Sequence, residues 1–182
     1  LKGWEGVGVA PNDEFRTPFE LVRQCVRKIE RYITPETTML DPCSGTGSWV
    51  TVLDLLFTGQ VEENEILTGT DFYRNHESYD WIIGNPPFSN LTRWLEHSAL
   101  LAEKGIAYIL PGHALSYSRL KFMESFGFYL AHLHSFDNPK EWGLGYPHFF
   151  CVWLHEKDRV IPHGMVCLGE PTQRQTRLFG AD

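Results

Sequence analysis

Two consecutive prolines directly after an apolar run constrain this chain more than any other feature. Trp81-Ile82-Ile83-Gly84 reads as a buried strand, and Asn85-Pro86-Pro87-Phe88 follows it. Proline removes a backbone donor and fixes φ, and Pro87 also restricts Pro86 before it. The strand must therefore stop in a stiff, extended turn at its C-terminal end, where open α/β sheets bind their ligands. The turn offers the Asn85 amide, the free carbonyl of Pro86 and the ring of Phe88. Such groups accept hydrogen bonds from an exocyclic amine and stack on a flat ring. The segment is a candidate site for an amino group on a planar substrate.

Around this turn, strands alternate with helices. Phe19, Leu21, Val22, Val26, Ile29 and Ile33 recur at helical spacing and predict a helix over residues 18–33. Thr17 as N-cap, Pro18 at the first helical position and Glu20 compose a capping box. Further helices are expected over 48–57, 90–104 and 117–126. Strands are expected over 38–40, 65–70 (ending at Asp71), 79–84, 106–110, 128–136 and 147–155. The pattern implies a parallel-leaning sheet covered on both faces, with the last two strands antiparallel at one edge. Residues 1–16 read as an arm, 17–168 as one domain and 169–182 as a polar tail.

The chain has 182 residues, 42% of them hydrophobic, which suits one domain with a real core. Its net charge of −7 argues against a broad basic face, so a nucleic-acid role needs local clusters or a partner subunit. No apolar run is long enough for a membrane helix and no signal-peptide pattern opens the chain, so a cytoplasmic protein is expected. Cys25, Cys43, Cys151 and Cys167 lack metal-ligand spacing and read as free thiols. His132 and His134 would share one face of a strand, but no third ligand is evident and no metal is expected. His113 reads as a loop histidine. Cys43 has no adjacent base that would make it a nucleophile.

A second turn, Asp41-Pro42-Cys43-Ser44-Gly45-Thr46-Gly47, separates a strand from a helix. Its glycines allow a tight bend and close backbone approach to a ligand, although a plain helix-capping turn uses the same residues. Val50 stands where the dinucleotide fingerprint has its third glycine, and no lysine follows as a phosphate loop requires. Pyrophosphate is thus disfavoured, and Asp41 suits a cation or an amino group better. Asp71 lies near the spacing of about 20 residues at which an acid bonds a ribose hydroxyl in nucleoside-binding sheets. A solvated turn carboxylate is the plain alternative.

Asp-Pro-x-x-Gly-x-Gly followed by Asn-Pro-Pro-Phe resembles the S-adenosylmethionine-dependent amino-methyltransferases, above all the DNA adenine-N6 methyltransferases of the compact phage and prophage type. The resemblance covers roughly residues 15–155. It implies a Rossmann-like class I methyltransferase sandwich with S-adenosylmethionine as cofactor. The family's N-terminal Thr-Pro, which closes over the cofactor, is similar to Thr17-Pro18. The resemblance further implies that Asp41, Pro42 and the Gly45–Gly47 backbone hold the methionine moiety. Asp71 would take the ribose hydroxyls, and Phe72 or Tyr73 would pack on the adenine ring. Asn85, which also borders the cofactor, and the Pro86 carbonyl would accept both amine hydrogens, with Pro87 stiffening the turn. Phe88 would stack on a base turned out of its helix.

Two departures from the family pattern stand out. Only residues 72–80 lie between Asp71 and Trp81, where the family places a helix, a strand and another helix. Nine extended residues reach about 30 Å, enough to cross without a covering helix, so the sheet should be one edge strand short. There is also no room for a large target-recognition region. Residues 112–146 could supply a small substrate loop, with Arg119 and Lys121 as cations and Tyr117, Trp142 and Tyr146 as stacking rings, though these aromatics could equally be ordinary packing. DNA is the first expected partner. RNA base amines or a protein glutamine amide are alternatives, as is a non-catalytic scaffold on the same fold. A recognition subunit or a homodimer would supply the missing contacts.

Overall fold

The computed structural model describes residues 15–57 and 59–156. Six strands form one sheet: β1 (Met39–Asp41), β2 (Val61–Glu63), β3 (Tyr79–Gly84), β4 (Ala102–Pro111), β5 (Phe128–Ser135) and β6 (His148–His155). Four helices accompany them: α1 (Phe19–Ile29), α2 (Ser48–Leu56), α3 (Leu91–Leu101) and α4 (Tyr117–Ser125). The spatial order is β2-β1-β3-β4-β6-β5. The first four strands in that order are parallel, while β6 runs antiparallel to β4 and to β5. The chain steps outward from β1 to β2 on one side and to β3 and β4 on the other. The switch point of the sheet therefore lies between β1 and β3.

Burial on both faces explains the continuous apolar runs of the central strands. Alternate residues feed two cores. Leu40, Ile82, Ile106, Tyr108 and Leu110 pack with Trp94, Leu95 and Met123 under α3 and α4. Met39, Trp81, Ile83, Ala107 and Ile109 pack with Val22, Val26, Ile29, Trp49 and Leu53 under α1 and α2. Gly105 is required by the second core, because a Cβ there would lie 2.6 Å from the Trp81 ring. No helix among the described residues is long and apolar enough to cross a membrane.

Four expectations are corrected. The strand expected over 65–70 is a short 3-10 turn, Ile66–Thr68, opened by the Glu65 carboxylate accepting from Leu67 N at 3.0 Å and closed by Gly69 at φ 100. The strand that pairs with β1 on its outer side is Val61–Glu63, whose single apolar residue gives no alternation to read. The predicted capping box does not form: Pro18 is the N-cap of α1, with no side-chain bond to the helix. Helix α3 ends at Leu101, three residues short of Lys104, because Ala102 already begins β4 beside Tyr79. As expected, residues 72–80 hold no α-helix, only the 3-10 turn Phe72–Arg74 before β3 begins, and among the described residues the sheet has no strand outside β2. The arm assigned to 1–16 is described only at Phe15 and Arg16, and the tail over 169–182 lies outside the described residues.

Candidate active site

Asp41 ends β1 and Gly84 ends β3, so the two motif turns leave the sheet side by side. Gly45 and Gly47 both take positive φ, 55° and 77°, which bends the first turn back into α2. Its tip is closed by Gly47 N donating to Ser44 O at 2.7 Å. Across the gap, the Cys43 thiol donates to the Asn85 backbone carbonyl at 3.3 Å. Burial pushes the Cys43 thiol well up, which keeps it protonated as a donor. The glycine turn and the Asn-Pro-Pro-Phe turn thus share one rim of the sheet.

Each turn holds a buried side-chain oxygen without a hydrogen-bond partner among the described residues. Asp41 is fully enclosed; its Oδ1 accepts from Cys43 N at 3.2 Å, while Oδ2 has no donor. Burial raises the Asp41 carboxyl to about 8, countered in part by the Cys43 N–H and reinforced by Glu63 and Glu65. Asn85 donates Nδ2 to the Phe15 carbonyl at 2.9 Å and to the Thr17 hydroxyl at 3.3 Å. A carbonyl can only accept, so this contact fixes the amide's orientation. Asn85 Oδ1 is left buried and unpartnered. A polar atom left unmet in a protein interior costs about 1–3 kcal/mol, and two on one rim mark where a polar ligand would find partners.

The Thr17-Pro18 pair meets the site through that Thr17 hydroxyl, 68 residues away from its partner in sequence. Phe88 is half-buried, with Phe15 stacked on it at 5.7 Å and 21° and His148 at 5.6 Å. Pro86 is buried and Pro87 partly exposed. Pro42 packs near Gly84, its Cδ 3.4 Å from where a Cβ on that glycine would lie.

Asp71 does not end a strand. It caps the 3-10 turn Phe72–Arg74, accepting from Tyr73 N at 3.0 Å, with Arg74 Nε 3.8 Å away. The acid that meets the glycine turn is Glu65, whose Oε2 accepts from Gly45 N at 2.7 Å. Reading 65–70 as a strand hid Glu65, although it follows the true end of β2 by two residues. Phe72 belongs to the core at 3% exposure, with Trp94 and His97 both 4.7 Å from its ring. Tyr73, under the Arg93 guanidinium at 4.2 Å, is the more open of the two rings.

The substrate loop divides. Trp142 and Tyr146 converge on His148 at 5.3 and 5.0 Å, and through it on Phe88. Trp142 also donates its indole N–H to the Arg16 carbonyl at 2.8 Å. The two cations do not join them. Arg119 ties down the turn after β4, donating to Ala114 O and to Thr92 Oγ1, and Lys121 pairs with Glu124 at 2.9 Å. His132 lies beside Arg31 and Tyr32 at 2.8 and 2.7 Å, and among the described residues no cluster suits a metal.

Solved structures share this fold. A putative class I S-adenosylmethionine-dependent methyltransferase from Listeria monocytogenes matches at TM-score 0.65 and 14% identity, over 95% of this chain and 72% of that one. A putative RNA methyltransferase from Pyrococcus horikoshii matches at TM-score 0.64 and 18% identity, over 85% and 92%. The M protein of the type I restriction enzyme EcoKI matches at TM-score 0.55 and 13% identity, over 78% of this chain and 44% of that one. No family model and no curated protein sequence matches. The fold is that of the class I methyltransferases.

Proposed function

We propose that this chain is an S-adenosylmethionine-dependent N-methyltransferase acting on the exocyclic amine of a planar base, with adenine N6 in DNA as its substrate. The observation that carries the reading is the Asn85 amide: its nitrogen is tethered by Phe15 and Thr17, and its oxygen is buried, free and on the same rim as Asp41. The unpartnered Asp41 Oδ2 suits the cofactor's ammonium, and the Gly45–Gly47 turn would hold its carboxylate only by exchanging the Gly45 N–H bond to Glu65 or the Gly47 N–H bond to Ser44; the acceptor for the ammonium is the part of the site that fits the group. Bound there, S-adenosylmethionine supplies an electrophilic methyl on a sulfonium.

The chain's own part is positioning. Asn85 Oδ1 and the Pro86 carbonyl accept the two amine hydrogens and turn the nitrogen lone pair toward the methyl group. Cys43 steadies the Asn85 carbonyl, and the two prolines keep the turn from yielding. Phe15 covers Phe88, so a flat ring stacking on Phe88 takes the place of the Phe15 ring. Radiolabelled methyl transfer from S-adenosylmethionine to unmethylated DNA tests the reading. Incorporation into N6-methyladenine is expected, and none into any of DNA, RNA or protein would overturn it.

A second substrate class has its own support. The net charge is −7, and Arg119 and Lys121 are engaged within the fold. A short RNA or a glutamine amide needs fewer phosphate contacts than duplex DNA. The same assay on total RNA and on protein separates these cases, and a recognition subunit would restore DNA binding. If calorimetry detects no S-adenosylmethionine at millimolar concentration, the fold serves as a scaffold.

A further inference from the structure

Positive charge is concentrated on one element of this acidic chain. Residues 16–32 carry Arg16, Arg23, Arg27, Lys28 and Arg31 against Glu20 and Glu30, a net +3, while the chain as a whole carries −7. Helix α1 buries Leu21, Val22, Cys25, Val26 and Ile29, and Arg23, Arg27 and Lys28 are exposed away from that face. Arg23 and Arg27 stand four residues apart, and Arg31 continues the row in the 3-10 turn Glu30–Tyr32. The three form a stripe about 12 Å long. Among the described residues, Arg23, Arg27 and Lys28 make no ion pair and no side-chain hydrogen bond. Glu20, the acid on the exposed side nearest the site, accepts from Gln24 at 3.3 Å. Arg31 is held at the far end, donating to the Tyr32 hydroxyl at 2.7 Å and to His132 Nε2 at 2.8 Å. The same field reaches β5: burial first, and then Lys28 and Arg31, lower the affinity of His134 for a proton, and no acid counters them.

Like charges four residues apart on a helix repel, so the row stabilises nothing within the chain itself. A polyanion relieves that repulsion. The row also starts at the candidate site. Helix α1 follows directly on Thr17, whose hydroxyl accepts from Asn85 Nδ2, and the Arg16 carbonyl accepts from the Trp142 indole. We propose that the α1 stripe tracks the phosphodiester backbone of the nucleic acid whose base enters beside Phe88. The proposal rests on the base-methylating reading of the Asn85 site and adds the backbone contacts that Arg119 and Lys121, engaged within the fold, do not give. Evenly spaced cations suit a polymer that repeats its charge along its length. A membrane surface would call for large apolar side chains beside them, and Phe19 alone is an exposed large apolar residue on α1. Contacts of this kind position the strand and leave the choice of base to the site.

The test uses the full chain and a fluorescently labelled DNA oligonucleotide, single-stranded and as a duplex, with anisotropy read across a salt titration without cofactor. The double variant Arg23→Gln/Arg27→Gln should bind the tighter of the two forms about tenfold or more weakly at about 50 mM salt. Its salt slope should be shallower by about 1.4 for a single strand or about 1.8 for a duplex, since each phosphate contact contributes about 0.7 or 0.9. Lys104→Gln removes a cation at the opposite end of β4 from the rim and should leave both values unchanged. Because neither guanidinium is paired within the fold, the double variant should melt at the wild-type temperature. Unchanged affinity and slope in the double variant, equal weakening by Lys104→Gln, or no binding by the wild-type chain overturns the proposal. So does polyglutamate that displaces the oligonucleotide as well as unlabelled DNA does, which would make the stripe a face for an acidic protein. In turnover assays the double variant should raise KM for the oligonucleotide about tenfold and leave KM for free deoxyadenosine unchanged. An equal rise for both overturns it. Failure of the underlying methyltransferase reading looks different: the wild-type chain would then show no S-adenosylmethionine binding in calorimetry, while the salt slopes would still decide the role of the stripe.

Discussion

A Cβ on Gly84 would lie 2.9 Å from Asp41 Oδ1. The last residue of β3 is therefore bare of a side chain so that the Asp41 carboxylate can fit between the strands. Gly84→Ala should cost about 1–3 kcal/mol by overpacking and push Asp41 aside. Denaturant melts should show the loss of stability, and calorimetry should show a larger loss of S-adenosylmethionine affinity than any remote mutant of equal stability.

Asp41 gives a signed pH dependence. Its carboxyl is raised to about 8 in the fold, while the unfolded chain ionises near the ordinary carboxylate value. Between those limits the folded state holds the extra proton, so this group makes stability fall as pH rises from roughly 4 to 8. An ammonium ligand reverses the preference and expels the proton. Calorimetry near pH 7 in buffers of differing ionisation enthalpy should report up to about one proton released per S-adenosylmethionine bound. Asp41→Asn should abolish that release.

Asn85→Ala removes an acceptor whose use comes in the reaction. Turnover should fall about 100–1,000-fold, as when one aimed polar group is lost from an active site. Cofactor affinity should stay within a few-fold. The same variant frees the Phe15 carbonyl, so a drop in stability of about 1 kcal/mol is expected in thermal melts. Equal loss of cofactor binding and turnover would mean that Asn85 holds the cofactor instead.

Arg119 and Lys121 should behave as structural residues. Arg119→Ala releases the Ala114 carbonyl and Thr92. It should destabilise by about 1–3 kcal/mol in a denaturant melt, since a charge-assisted bond to backbone is lost. Lys121→Ala breaks an exposed pair with Glu124 and should change stability by less than about 1 kcal/mol. The salt dependence of any DNA binding should be unaltered by Lys121→Ala.

The parts of the fold that carry strong local patterns were legible. Trp81-Ile82-Ile83-Gly84 is a strand because it is apolar on both faces and then meets prolines, and α1 is a helix because Leu21, Val22, Cys25, Val26 and Ile29 fall on one face. Edge strand β2 was not legible, since Val61 alone is apolar and the pairing with Met39–Asp41 is long-range. Ile66 and Leu67 imitated a strand while remaining 48% and 79% exposed. The pairing of two turns on one rim followed from the motifs. Thr17 was expected near the site from its Thr-Pro pair, but the Glu65 carboxylate and His148 were not, because each meets the two turns only through a neighbour brought close by tertiary folding.

The reversal of β6 has a consequence for how this protein could change its target. A strand running against its neighbours delivers its beginning, not its end, to the rim where β1 and β3 finish. Tyr146 and Trp142 thus sit in the connection, residues 136–147, that leads into His148, and Trp142 also ties this connection to the N-terminal segment through its bond to the Arg16 carbonyl. Natural or engineered alteration of that single loop away from Trp142 can retune which ring is admitted without disturbing the two motif turns.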